Sequence, residues 1–181
     1  MNDNVFNSRI NPLYTIDNLQ DEYLNAVRTG TAYITTARSS ALLALNNYLG
    51  LGITNPSGSG TNIFINSIAV VGSGVNLTGQ VIIVKGATTL SNNADPTTFS
   101  NANLALGTTQ AKASIKMSEQ GTSPGGTVIE VGSQINSVYE SVYNGGLLVA
   151  PNTKLTVYIQ NTLGVTVAMY IKITFWEETV S

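Results

Sequence analysis

The sequence predicts an all-β fold: a two-sheet antiparallel jelly-roll sandwich with an extended N-terminal arm and one short helix. Three observations predict it. Short β-branched and aromatic runs recur at roughly 8–12-residue spacing, separated by Gly, Pro and Asn clusters, as in sandwiches and barrels. Several of these runs alternate with period two, as half-buried strands do: Leu155, Val157 and Ile159 against Thr156, Tyr158 and Gln160. No internal repeat points instead to a solenoid or propeller.

Three regions follow in order. Residues 1–14 form an extended connector arm in which Val5, Phe6, Ile10, Leu13 and Tyr14 are spaced by Asn, Ser, Arg and Pro12. Pro12 pushes Asn11 toward an extended conformation. Residues 15–30 make a short helix or linker. Asp17 with Gln20 three positions later resembles a capping box, Ile16, Leu19, Tyr23 and Val27 keep helical spacing, and Gly30 ends the run. Residues 31–181 form the sandwich, a length that suits one domain with a sizeable core.

Within the sandwich, Thr31 to Thr36 is β-branched and aromatic and reads as a strand. Ser40 to Asn46 reads as the next, because the turn cluster Asn55 to Gly60 follows it. Thr61 to Val71 alternates at Ile63 and Ile65 and then runs on apolar, as a buried strand does. Gln80 to Lys85 is a further strand, and 86–103 is a long polar loop. Leu104 to Met117 sets Ala111, Ala113 and Ile115 against Lys112, Ser114 and Lys116. Ser123-Pro124-Gly125-Gly126 is a turn. The remaining strands are Thr127 to Val131, Ser137 to Tyr143, Gly146 to Val149, Lys154 to Gln160 and Val165 to Trp176. In the last of these Ile171, Ile173 and Phe175 face one way and Lys172, Thr174 and Trp176 the other.

Composition narrows the chemistry. There is no His and no Cys, and charged residues are 10% of the chain, against roughly a quarter in a typical soluble domain. Asn, Thr, Ser and Gly make up 75 of 181 residues. Without His or Cys a Ser-His-Asp triad, a Cys nucleophile, a CxxC redox pair and the usual zinc sites are out of reach. No catalytic residue, metal ligand or cofactor is therefore expected. A net charge of −2 supplies no basic stripe for nucleic acid, and Lys112 with Lys116 do not make a groove. No stretch approaches the roughly 20 apolar residues of a membrane-spanning helix. Residues 1–30 hold no apolar run of secretory-signal length, so synthesis in a cytoplasm without a signal peptide is expected.

The remaining motifs have plain structural uses. The Gly-rich segments at 55–60 and 72–74 lack the Lys-Ser/Thr of a phosphate loop and are turns. Glu119, Glu130 and Glu140 are the central carboxylates and are expected to be solvated. Glu177 and Glu178 are expected to solubilise the final strand. Asp95 stands alone among Asn and Thr, too few oxygens for calcium. The sequon at Asn76 is incidental. Among Trp176, Tyr158, Tyr170, Tyr139 and Tyr143, the last two share one strand face and are the candidate ligand-facing aromatics for a glycan. Cross-strand packing is the commoner use of such a pair.

The arm is the sharpest feature. Five apolar residues in fourteen exceed what a solvated tail needs, and such a segment can add as a strand to an open sheet edge. Val5, Phe6, Ile10, Pro12, Leu13 and Tyr14 are the candidate subunit-docking residues. Four apolar side chains at roughly 1.5–3 kcal/mol each would drive docking against the entropy of ordering the arm.

The segment Ser40 to Asn46 followed by Asn55-Pro56-Ser57-Gly58-Ser59-Gly60 and Thr61 to Ile65 resembles the opening of jelly rolls in virion and surface-fibre proteins. The closing stretches Leu147 to Leu155 and Tyr170 to Glu178 are similar to the last strands of phage head-fibre proteins. A connector ahead of a Cys-free sandwich also resembles endospore appendage (pilus) subunits. The resemblance implies a structural subunit of an extracellular surface fibre or virion, polymerising by docking its arm into another copy of itself. Disulfide-linked appendages use cysteines this chain lacks, so its cohesion would be non-covalent. The other expectation is a phage receptor-binding or decoration protein.

Overall fold

The structure is a computed structural model and describes residues 22–39, 43–73, 79–86, 90, 100–103, 105, 111–133, 138–162 and 168–180. A helix, α1, occupies 22–29. Ten strands follow among the described residues: β1 (Ala32–Arg38), β2 (Tyr48–Asn55), β3 (Thr61–Ser73), β4 (Gln80–Lys85), β5 (Ser100–Asn101), β6 (Ser114–Gln120), β7 (Thr127–Ser133), β8 (Val138–Val149), β9 (Thr153–Gln160) and β10 (Ala168–Thr179). They form two five-stranded antiparallel sheets, ordered β5-β1-β10-β3-β8 and β6-β2-β9-β4-β7.

The pairing is that of a long hairpin rolled up on itself. β1 pairs with β10, β2 with β9, β3 with β8 and β4 with β7, all antiparallel. This is the jelly-roll arrangement expected from the strand rhythm. β5 and β6 extend it, adding one strand beyond β1 and one beyond β2.

Period-two alternation builds the core. On β10, Met169, Ile171, Ile173 and Phe175 point inward, and on β9 Leu155, Val157 and Ile159 do the same. β3 shows why its pattern breaks after Ile65. The β3–β10 register shifts between Thr174 and Phe175, with Asn66 left outside the ladder. The shift moves the inward set from Ile63 and Ile65 to Ile68 and Val70, all fully buried, as one extra residue in a strand must. Asn66 and Ser67 both meet the Thr174 hydroxyl, at 3.2 and 2.7 Å.

One strand differs from the sequence reading. Ser40 to Asn46 is not a strand among its described residues. Leu43 makes an isolated bridge and Asn46 turns the chain at φ 63°. The strand is Tyr48–Asn55, whose Gly50 and Gly52 look like breakers in isolation. Both lie under Leu90: a Cβ added to them would come within 2.7 and 2.6 Å of its side chain. Glycine there seats a loop residue on the outer face of the sheet.

Other small differences have local causes. The two runs expected over 137–143 and 146–149 are, in their described residues, one strand, β8, whose ladder to β3 is interrupted between Val142 and Leu147. Asn144 and Gly145 take positive φ there, 48° and 83°. Glu177 is buried rather than solvated. Its carboxylate accepts the backbone N–H groups of Lys112 and Ala113 at 3.0 and 2.8 Å, tying the start of β6 to the last strand.

Trp176 points outward from its sheet but is fully buried. The α1 residues Tyr23, Ala26 and Val27, with Phe64 and Ala32, close over it. The Phe64 ring stacks on it at 5.2 Å and Tyr23 meets it edge-on at 5.9 Å. Gly145 completes the enclosure, since a Cβ there would collide with the indole. Gly145→Ala combines that collision with a left-handed backbone and is expected to cost about 2–3 kcal/mol. Gly58, at φ 74° with open space around it, isolates the backbone term, and Gly58→Ala is expected to cost about 1 kcal/mol. Urea midpoints of the two variants measure both. Equal losses would mean that Gly145 does not serve the indole contact.

Candidate functional site

A sandwich of finite width has edges, and here they are unlike. β6 closes one side of its sheet and carries Lys116, Glu119 and Gln120, the charged and polar residues that keep an edge from pairing. At the other side β7 ends one sheet and β8 the other. Among the described residues β7 pairs with β4 alone and β8 with β3 alone.

This side is largely apolar, with Glu140 its one exposed charge. Val128, Ile129 and Val131 on β7, and Val138, Val142 and Leu148 on β8, are each between 44% and 59% exposed. They are six of the ten large apolar side chains exposed among the described residues. β7 contains no Lys, Arg or Pro. Its one charged residue, Glu130, is turned away from the edge toward β8.

Glu130 joins the two edge strands. Tyr139 and Tyr143, two turns of the β8 pleat on the same face, donate their hydroxyls to its two oxygens, at 2.5 Å to Oε1 and 2.6 Å to Oε2. Gly132, two residues after Glu130, leaves room for the Tyr139 ring, which a Cβ would strike. The carboxylate thus spans the sheets as a polar clamp. Burial pushes the Tyr139 and Tyr143 hydroxyls up, and the neighbouring Glu130 pushes them further. Burial alone would raise the Glu130 carboxyl, but the hydrogen bonds from Tyr139, Tyr143 and Ser141 together hold it below its ordinary value.

The aromatic pair therefore faces the interior. Tyr139 belongs to the core cluster, with Tyr143 packed against it, and both hydroxyls are engaged. The other aromatics are similarly committed. Trp176 lies under α1, Tyr158 is buried against Tyr48 at 5.7 Å, and Arg38 lies over Tyr170 at 5.4 Å.

The carboxylates do not converge. β6 and β7 are at opposite edges of one sheet, so Glu119 and Glu130 are separated by four strand spacings, roughly 19 Å. Glycoside hydrolysis needs a pair within roughly 5–9.5 Å. Glu140 is exposed on β8 while Glu130 lies between the sheets. Among the described residues no group of three or more acidic, His or Cys side chains could hold a metal ion. No described helix is long and apolar enough to cross a membrane. The docking-arm candidates Val5, Phe6, Ile10, Pro12, Leu13 and Tyr14 lie outside the described residues, as does Asp95.

Sequence reasoning found the shared face of Tyr139 and Tyr143 but missed Glu130 as their partner. Two features could have signalled it. Glu130 is the lone charge in its strand, flanked by Val and Ile, and it sits two residues from a glycine. Comparison with family models, curated proteins and solved structures gave no match.

A carboxyl whose pKa is lowered by folding stabilises the fold above its unfolded value, and that contribution disappears as pH falls through the folded value. Glu130→Gln is therefore expected to lower stability at pH 7 by about 1 kcal/mol, allowing for its exposure to water. The gap to the parent protein should close as pH drops below the usual carboxyl value of 4.5. Urea titrations at neutral and acid pH measure this. A gap that stays constant with pH would mean that the charge of Glu130 is not what holds the clamp.

Proposed function

We propose that the chain is a structural subunit that assembles with copies of itself into a non-covalent surface fibre or appendage. In this reading the N-terminal arm of one copy adds as a strand to the β7–β8 side of another. The observation that carries it is the lightly guarded edge: two terminal strands, side by side, with six exposed Val, Ile and Leu residues and Glu140 as their one outward charge. Edge strands of proteins that stay apart are blunted by Lys, Pro or inward-turned charge. On β7 the only charge is spent on an internal clamp. Main-chain bonds would give such an addition affinity, and alternate side chains such as Val5, Phe6, Ile10 and Leu13 would give it register.

The sparse charge of the chain supports the same reading, because subunit interfaces are depleted in Lys, Glu and Asp. An extracellular location, with synthesis in a cytoplasm, goes with this proposal. The role calls for no catalytic residue and no cofactor. A glycan platform at Tyr139 and Tyr143 is not carried forward, since both rings are turned inward.

Negative-stain imaging and light scattering of the full chain test the proposal. Polymers are expected from the parent protein. Monomers with unchanged circular dichroism are expected from the double variant Val128→Lys, Val131→Lys and from a chain lacking residues 1–14. A full-length chain that stays monomeric overturns self-assembly. Polymers that persist in the lysine variant overturn the β7–β8 side as the acceptor, and polymers that persist in the truncated chain overturn the arm.

A further inference from the structure

The N-terminal arm and the β7–β8 side belong to the same chain, and the fold sets how far apart they are. α1 begins at residue 22, and its Tyr23 ring meets Trp176 on β10. Trp176 is paired with Phe64 on β3, and Phe64 with Leu148 on β8. These three side chains lie in one row across the outer face of the sheet. The far end of the row, Leu148, is one of the six exposed apolar residues of the β7–β8 side. Two strand spacings, about 10 Å, therefore separate the strand under the start of α1 from β8.

Residues 15–21 connect α1 to the arm. Seven residues span about 10 Å as a helix and about 23 Å when extended. Either length brings residues 1–14 to the β7–β8 side of their own chain. The surface on the way is apolar, since half-buried Phe64 leads to exposed Leu148, with Val142 and Val138 on the same face of β8. Charge agrees with this placement. Arg9 is the one basic residue of the arm, and Glu140 is the one exposed charge of the side.

We infer that the arm of a free copy docks on its own β7–β8 side, so that assembly is an exchange of the arm from its own edge to that of a second copy. This rests on the reading of that side as the acceptor. A short tether holds the arm at an effective concentration of about millimolar. The same contacts serve both states, so closure wins below that concentration and exchange above it. The closed copy also covers an edge that would otherwise pair at random.

The chain has no cysteine, so Ser8→Cys in the arm and Thr36→Cys, exposed on β1, place two spin labels and no others. Pulsed dipolar resonance on the full chain, with labelled copies diluted in an excess of unlabelled ones, reads distances within one chain. β1 lies three strands from β8 in the same sheet. Far below millimolar, one narrow distance is expected, roughly 20–35 Å for four strand spacings plus the label arms. It is expected to broaden when Val128→Lys and Val131→Lys are added, with circular dichroism unchanged. Well above millimolar, its amplitude is expected to fall by at least about half as labelled arms enter unlabelled copies. A broad distribution in the dilute chain overturns the inference. So does a narrow distance that the lysine variant keeps, or one that stays undiminished in polymers. A chain that is closed but never polymerises overturns the fibre reading alone, and polymers formed from chains with no narrow distance when dilute overturn the closure alone.

Discussion

Everything in this molecule depends on one apolar layer between two sheets. Ile171, Ile173 and Phe175 from one sheet and Leu155, Val157 and Ile159 from the other belong to a single buried cluster. Sheets packed face to face sit about 10 Å apart, so this layer is one side chain deep from each side and any residue out of phase breaks it. The bulge at Asn66 keeps β3 in phase. It lets one strand serve the core at Ile63 and Ile65 and again at Ile68 and Val70. The rolled-up pairing brings Ala32 against Trp176, so the layer closes only when distant parts of the chain meet, a topology associated with slow folding.

The outer faces and edges are what remains once that layer is made, and each is treated differently. α1 roofs Trp176 on one sheet. Leu90 and Pro124 lie over Gly50 on the other. Lys116 and Glu119 mark the β6 edge. The β7–β8 side has apolar residues outward and its one β7 charge inward, so it is the place where the fold itself is least finished. A polymerising subunit needs such a side, and an isolated domain is put at risk of aggregation by one.

The abundance of Asn has an internal use as well. Asn161 donates to the carbonyl of Leu43 at 2.6 Å, Asn101 to that of Gly30 at 2.7 Å, and Asn55 to those of Thr61 at the start of β3 and Val149 at the end of β8. Each is buried. A jelly roll has many strand ends whose carbonyls find no ladder partner, and buried carbonyls need donors. Short amides meet that need without adding charge to a thin core. Glu177 does the converse for the two N–H groups at the start of β6.

The sequence by itself determined the class and most of the strands. Alternation is a local property, readable wherever one face is buried, and β4 matches its expected bounds of Gln80 to Lys85 residue for residue. The shared face of Tyr139 and Tyr143 was legible for the same reason. Only the tertiary structure decided which way that face points, because parity cannot tell inside from outside on an edge strand. It decided that Gly50 and Gly52 belong to a strand, since their reason is Leu90, forty residues away in the chain and a van der Waals neighbour in space. It also set Glu130 between two tyrosines and left Val128, Ile129 and Val131 uncovered. Pattern records the period of a strand; only packing assigns the neighbour each side chain meets.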